Sequence, residues 1–172
     1  MNIFAIESDE SGNIDWKKSA TSQDNYRVVK MILESVQMLC TTLNDQHGYQ
    51  ITPYKNAHLN HPSTKWVRES SANFESLVEH TIAMLEEYTR RFGKTHKCAA
   101  VLEKCIEIYD ASLFPNSEPT KLPLAMPEEY KSDNVVESYR KYYASKEKMR
   151  YPKDCIPSWF IKYRGNLEFQ VI

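Results

Sequence analysis

The sequence predicts a mainly α fold: a compact single-domain helical bundle with long irregular loops and room for a short terminal strand pair. Three observations predict it. First, Arg27 to Thr41 contains no Gly or Pro, and Arg27, Lys30, Glu34, Gln37 and Thr41 recur at a 3-4-3-4 spacing. At about 100° per residue these five fall within an arc of roughly 80°. The rest of the circumference is filled by Val28, Val29, Met31, Ile32, Leu33, Val36, Met38, Leu39 and Cys40. Second, Phe74, Leu77, Val78, Ile82, Leu85 and Tyr88 repeat with helical period before Gly93, a residue suited to ending a helix. Third, 172 residues suffice for one domain with a real core.

The elements follow in order. Ile3 to Ile6 reads as a short strand or an extended arm, and Ser8 to Ala20 as polar and irregular. The first long helix starts near Ser22 or Asp24, either of which can cap it, and runs to about Asp45. Tyr49 to Pro62 is a loop. A short helix starting at Ser63 or Thr64 carries Trp66, Val67 and Arg68. Helices are then expected over Ser71–Phe92 and Thr95–Ala111. Ser112 to Pro127 holds four prolines and reads as a long extended connection. Ser132-Asp133 caps a helix through Tyr142, Tyr143 and Lys146. Pro152 and Pro157 break the chain before Trp159-Phe160, and Lys162 to Ile172 is a closing strand or a tail. The chain thus divides into an N-terminal arm (1–21), a helical core (22–160) and a C-terminal tail (161–172).

A net charge of −1 gives no whole-protein field that would announce a nucleic-acid partner. The charges are unevenly spread, however. Glu7, Asp9, Glu10 and Asp15 precede the first base, whereas eight Lys or Arg lie between Arg140 and Arg164. Cys40, Cys98, Cys105 and Cys155 form no C-x-x-C, which disfavours a zinc ribbon or redox pair and suggests buried free thiols. No apolar run approaches the roughly 20 residues of a membrane span. There is no secretory signal pattern, and the expected location is cytoplasmic, that of a host cell if the chain is phage-encoded.

Four glycines leave no room for a phosphate-cradling loop or a dinucleotide fingerprint. His58 and His61 lack an acidic or Cys partner at a metal-site spacing, and neither a metal nor a cofactor is expected. The polar stripe singles out Glu34, flanked by Lys30 at i−4 and Gln37 at i+3. On a helix otherwise set to be buried, it marks either a solvated edge or the wall of a cleft. Two basic, aromatic-bearing clusters suit anion recognition, where Lys and Arg neutralise phosphates and rings stack on bases. One contains Lys65, Trp66, Arg68, Arg91 and His96. The other contains Tyr139, Arg140, Tyr143 and Lys146.

Several stretches carry a family resemblance: Val28-Val29-Lys30-Met31-Ile32-Leu33-Glu34-Ser35, Asn60-His61-Pro62-Ser63-Thr64-Lys65-Trp66-Val67-Arg68-Glu69-Ser70, Glu87-Tyr88-Thr89-Arg90-Arg91-Phe92-Gly93-Lys94-Thr95-His96-Lys97, Ala125-Met126-Pro127-Glu128-Glu129-Tyr130 and Tyr139-Arg140-Lys141-Tyr142-Tyr143. Over roughly residues 24 to 160 the chain resembles a group of small bacteriophage and bacterial proteins. That group is distantly similar to the pyrimidine-dimer DNA glycosylases with AP-lyase activity, the endonuclease V type. In that family the first long helix opens with Asp-x-His, and a catalytic Glu follows seven residues after the His. The matching positions here are Asn25, Arg27 and Glu34: the Glu is kept, the Asp and His are replaced. The family attacks the sugar with the α-amine of a small residue exposed by Met removal. Here Asn2 should protect Met1, so the matching amine is that of Met1, and an α-amine near pKa 7.7–8.0 is a usable nucleophile.

The resemblance implies catalytic roles for Glu34, Met1 and Arg27. With the basic clusters, phosphate or base contacts are expected at Lys30, His61, Lys65, Trp66, Arg68, Arg91, His96, Tyr139, Arg140, Tyr143 and Lys146. The expected function is base excision on DNA, with a flipped base and Glu34 assisting at the glycosidic carbon. The alternatives are a nucleotide- or modified-base-directed enzyme or binder on the same scaffold, and a non-catalytic phage interaction protein. The expected partner is therefore DNA or a nucleotide, and no membrane.

Overall fold

The computed structural model describes residues 1–172. The fold is mainly helical, with seven α-helices: α1 (Trp16–Thr21), α2 (Asn25–His47), α3 (Pro62–Glu69), α4 (Ser71–Phe92), α5 (Ala99–Ile108), α6 (Val135–Ala144) and α7 (Phe160–Arg164). Strands β1 (Arg150–Tyr151) and β2 (Gln170–Val171) pair in parallel, Arg150 opposite Gln170. No helix is long and apolar enough to cross a membrane.

Local chemistry sets the ends of the long helices. Asp24 caps α2 by accepting from the Tyr26 amide, and Gly48 closes it at φ 73°. Ser70 caps α4 through Asn73, and Gly93 ends it at φ 63°, where a side chain would be strained. His61 caps α3 with its imidazole, with Pro62 following at the first helical position, where its missing N–H costs nothing. Pairing of α2 with α4 forms the centre, α3 lies against both, α1 lies against α4, and α5 packs on α2. Val36, Leu39, Leu43, Phe74, Leu77 and Met84 are fully buried between them. Cys40 of α2 faces Cys105 of α5 with sulfurs 3.4 Å apart, and both are free thiols.

Two sequence expectations are corrected and two open alternatives are resolved. Residues 16–20, read as irregular, belong to α1, because Asp15 accepts from the Lys18 amide and caps a turn that buries Ser19 and Ala20. Of the two readings of Ile3 to Ile6, the arm holds: the segment forms no strand and is fully buried among the helices. Of the two readings of the C-terminal segment, the closing strand holds at Gln170–Val171, and Arg164 of α7 is buried and donates to the carbonyls of Ala144 and Lys146. Finally, α2 is less enclosed than its composition suggests. Tyr26, Val29 and Leu33 are 48%, 40% and 40% exposed, an apolar strip alongside the polar one.

His80 on α4 is buried and bridges two elements. Its Nδ1 lies 2.8 Å from the Trp16 carbonyl and its Nε2 3.3 Å from the Gln23 amide nitrogen. A carbonyl only accepts, so Nδ1 carries the proton and Nε2 accepts from Gln23, which makes the ring neutral. Burial pushes its pKa down to about 4, against a partial opposing effect of the Trp16 carbonyl. An unfolded His titrates near 6.5. Between these values the unfolded chain binds the extra proton, so stability falls as pH falls through this window. Going from pH 7 to pH 5 should cost about 2 kcal/mol from this group alone. Urea unfolding at the two pH values measures it, with His80→Gln expected to flatten the difference. An equal difference in the variant would refute this assignment.

Candidate active site

The site is built from the buried arm and the exposed edge of α2. Apolar side chains at Ile3, Phe4, Ala5 and Ile6 thread the arm through the core. Polar contacts fix its register: Ser19 Oγ accepts from the amides of Ile6 and Glu7, and Arg140 Nε donates to the Ile6 carbonyl at 2.7 Å. Buried Glu7 anchors the arm's end, accepting from Ser22, Arg140 and Trp159 Nε1. Chain termini ordinarily fray; this one is held along five consecutive buried residues, Ile3 to Glu7.

The arm delivers the Met1 amine to 3.8 Å from Glu34 Oε2. The same oxygen accepts from the Asn2 amide at 3.2 Å, and Lys30 Nζ lies 3.4 Å from Oε1. Glu34 thus faces two cations and one backbone donor, with its side chain mostly covered. These groups open into a cleft of about 440 Å³ that is also lined by Tyr26, Arg27, Tyr142, Lys146 and Lys148, a volume suited to a small-molecule or nucleotide-sized group. Asn2 also lines the cleft, and its Oδ1 is buried without a hydrogen-bond partner.

The far wall is the turn after α6. Arg27 donates to the carbonyls of Lys148 at 2.8 Å and Glu147 at 3.0 Å, clamping this turn to α2. Lys148 sits at φ 48°, a left-handed conformation that costs a lysine about 1 kcal/mol or more. Lys146 Nζ stands 3.5 Å above the Tyr142 ring, a cation–π contact beside the opening. His61 lies close enough to feel the terminus: burial first, then the charge of the α-amine, lowers its pKa. Its Nδ1 accepts from the Ser63 amide, so its other nitrogen holds the proton.

Of the residues singled out by sequence, Met1, Arg27, Lys30, Glu34 and Lys146 line one cleft, with His61 beside it. The others lie elsewhere. Tyr139 and Tyr143 are fully buried. Tyr139 donates to the Pro123 carbonyl, and Tyr143 donates to Asp24 Oδ1 while accepting from the Asp24 amide. Trp66 is buried with its indole N–H on the Thr120 carbonyl. None of these three rings has a face free to stack on a base. Arg140 is spent on Glu7 and the arm, and lies 5.2 Å from the Trp159 ring centre. Arg91 is sequestered by Glu87 at 2.5 Å and by the carbonyls of Gln23 and Thr21. Arg68 reaches Asp45 at 3.5 Å. His96 turns onto Tyr88 and the Cys98 amide, and Lys65 is exposed on α3. Sequence reasoning missed Asn2 and Tyr26 as cleft residues, whereas Tyr142 and Lys148 lie in the second basic, aromatic-bearing stretch read as suited to anions.

No family model, curated protein or solved structure matches this chain. The geometry must therefore carry the functional argument. No group of three or more His, Cys, Asp or Glu side chains is arranged to hold a metal ion. The chemistry the cleft offers is that of an amine beside a carboxylate, set among lysines.

Proposed function

We propose that this protein acts on DNA at a damaged or abasic nucleotide, with the Met1 amine attacking C1′ of the deoxyribose and Glu34 managing protons. The observation that carries this reading is the convergence of the α-amine, Glu34 and Lys30 in one cleft. An amine becomes a nucleophile once it gives up a proton, and Glu34 Oε2 is placed to receive it. The N–C1′ bond then forms as the bond to the base breaks, and the base leaves with the proton that Glu34 took from the amine. The new secondary ammonium returns a proton to Glu34, which passes it to O4′ as the C1′–O4′ bond breaks, giving an imine between the protein and C1′. A carboxylate beside C1′ also stabilises positive charge developing on the sugar. Lys146 and Lys148 supply cations for flanking phosphates, and exposed Tyr26 offers a ring on which a displaced base can stack.

The test is reductive trapping. A duplex carrying one abasic site is incubated with the protein and borohydride. The expected product is a covalent protein–DNA adduct that peptide mass mapping assigns to residue 1. An N-terminally acetylated chain should give none. An adduct on Lys30, or no adduct and no base release from damaged duplexes, would refute the assignment of the amine.

The cleft volume favours one other reading, a free nucleotide or modified base as ligand. It predicts nucleotide-induced thermal stabilisation without duplex binding. Duplex binding that is steeply salt dependent, never gives turnover and ignores Glu34→Gln would instead identify a non-catalytic DNA-binding protein.

A further inference from the structure

A second concave surface lies on the face formed by α4 and α5 and shares no residue with the Met1–Glu34 cleft. Phe74, Val78, Ile82 and Ile106 line a groove of about 610 Å³. Ile82 and Ile106 are 39% and 45% exposed, although the helical period of α4 assigns Ile82 to the inward face. Apolar side chains left open in a groove mark interaction sites more often than isolated ones do.

The rim is acidic. Glu75, Glu79 and Glu86 border the groove along one side of α4, and Lys17 is its one lining cation, 3.6 Å from Glu79. Glu75 accepts from the Tyr109 hydroxyl, and neither it nor Glu86 is paired with a cation, so both remain open to one. From Glu75 to Glu86 the groove follows α4 for about 16 Å, or three helical turns. That length matches apolar anchors at i, i+3 or i+4, and i+7 of a helix laid into it.

We infer that this groove docks an amphipathic helix of a partner protein, one whose apolar stripe is flanked by lysines or arginines. The apolar floor takes the stripe, and the carboxylates of α4 pair with the flanking cations, fixing polarity and register. An acidic or purely apolar helix lacks the second half of this match.

The experiment uses the full-length chain and a fluorescein-labelled Leu/Lys peptide of roughly 14 residues with leucines at helical spacing. Fluorescence anisotropy at roughly physiological salt should show saturable one-to-one binding. Ile82→Lys and Glu86→Lys, both on exposed positions and checked for native circular dichroism, should each weaken it by about tenfold or more. A Leu/Glu peptide of the same spacing, and a Leu/Lys peptide with its order scrambled, should bind at least about tenfold less well. Absence of saturable binding, equal binding of the scrambled peptide, or indifference to both substitutions would overturn the inference. So would a concentration-dependent dimer that Ile82→Lys dissolves, since the groove's occupant would then be a second copy of the chain.

Discussion

Glu34→Gln is expected to reduce base release and imine trapping by about 10²- to 10⁴-fold, the usual contribution of a positioned proton-transfer group. The substitution suits the question because Gln preserves shape. Its amide oxygen can still accept from the Asn2 amide, the backbone contact that Glu34 makes at 3.2 Å, so the start of the chain should stay in place. What it removes is the charge facing the Met1 amine and Lys30. Lys30 is largely exposed, and pairs of this kind contribute little to stability, about 0–1 kcal/mol. The expected pattern is therefore near-normal unfolding, near-normal duplex affinity and a collapse in turnover. Turnover within about threefold of the parent would remove Glu34 from the chemistry. A matching loss of stability would make its role structural.

Arg91→Met is expected to cost about 3–5 kcal/mol of folding stability, the price of leaving a buried charge without its partner. Sequence alone places Arg91 among phosphate-binding residues, and the structure gives it another task. Its guanidinium donates to Glu87, to the carbonyls of Gln23 and Thr21 and to Asn25 Oδ1. It therefore holds α4 against the link between α1 and α2. Burial opposes ionisation of Glu87, but hydrogen bonds from Arg90 and Arg91 outweigh it and keep its pKa low. Arg90, which is exposed, would remain on Glu87 and hold the loss toward the lower end. Urea unfolding measures the stability, and the salt dependence of duplex binding measures the phosphate contacts. A phosphate-binding Arg91 would give the reverse result: native stability with a shallower salt slope.

The two substitutions also separate what sequence could and could not disclose. Helix α4 was legible to the residue because its apolar period and its Gly93 terminator agree. Helix α1 was not, because its six residues bury little and its cap is a single Asp15. At the site, Glu34 was legible because it breaks an apolar surface, and the resemblance to the repair enzymes pointed to the same position. The aromatic residues of the second basic cluster misled for a physical reason. A tyrosine in an Arg- and Lys-rich stretch looks the same whether its ring stacks on a base or fills a core. Only tertiary contacts reveal that Tyr143 spends its hydroxyl on Asp24. The arm was legible as apolar but not as buried, because nothing within Ile3–Ile6 states what will enclose it.

That enclosure has a consequence for the order of assembly. The residues that seat the arm lie far along the chain: Arg140 is 134 positions from Ile6, and Trp159 is 152 from Glu7. Contacts of such long separation close late, after the loop entropy between them has been overcome. The arm's seating on Arg140 and Trp159 is therefore expected among the last contacts to form. Refolding followed by two probes should show this directly, with bulk helix appearing first and protection of the Trp159 indole N–H, which donates to Glu7, from hydrogen exchange lagging behind it.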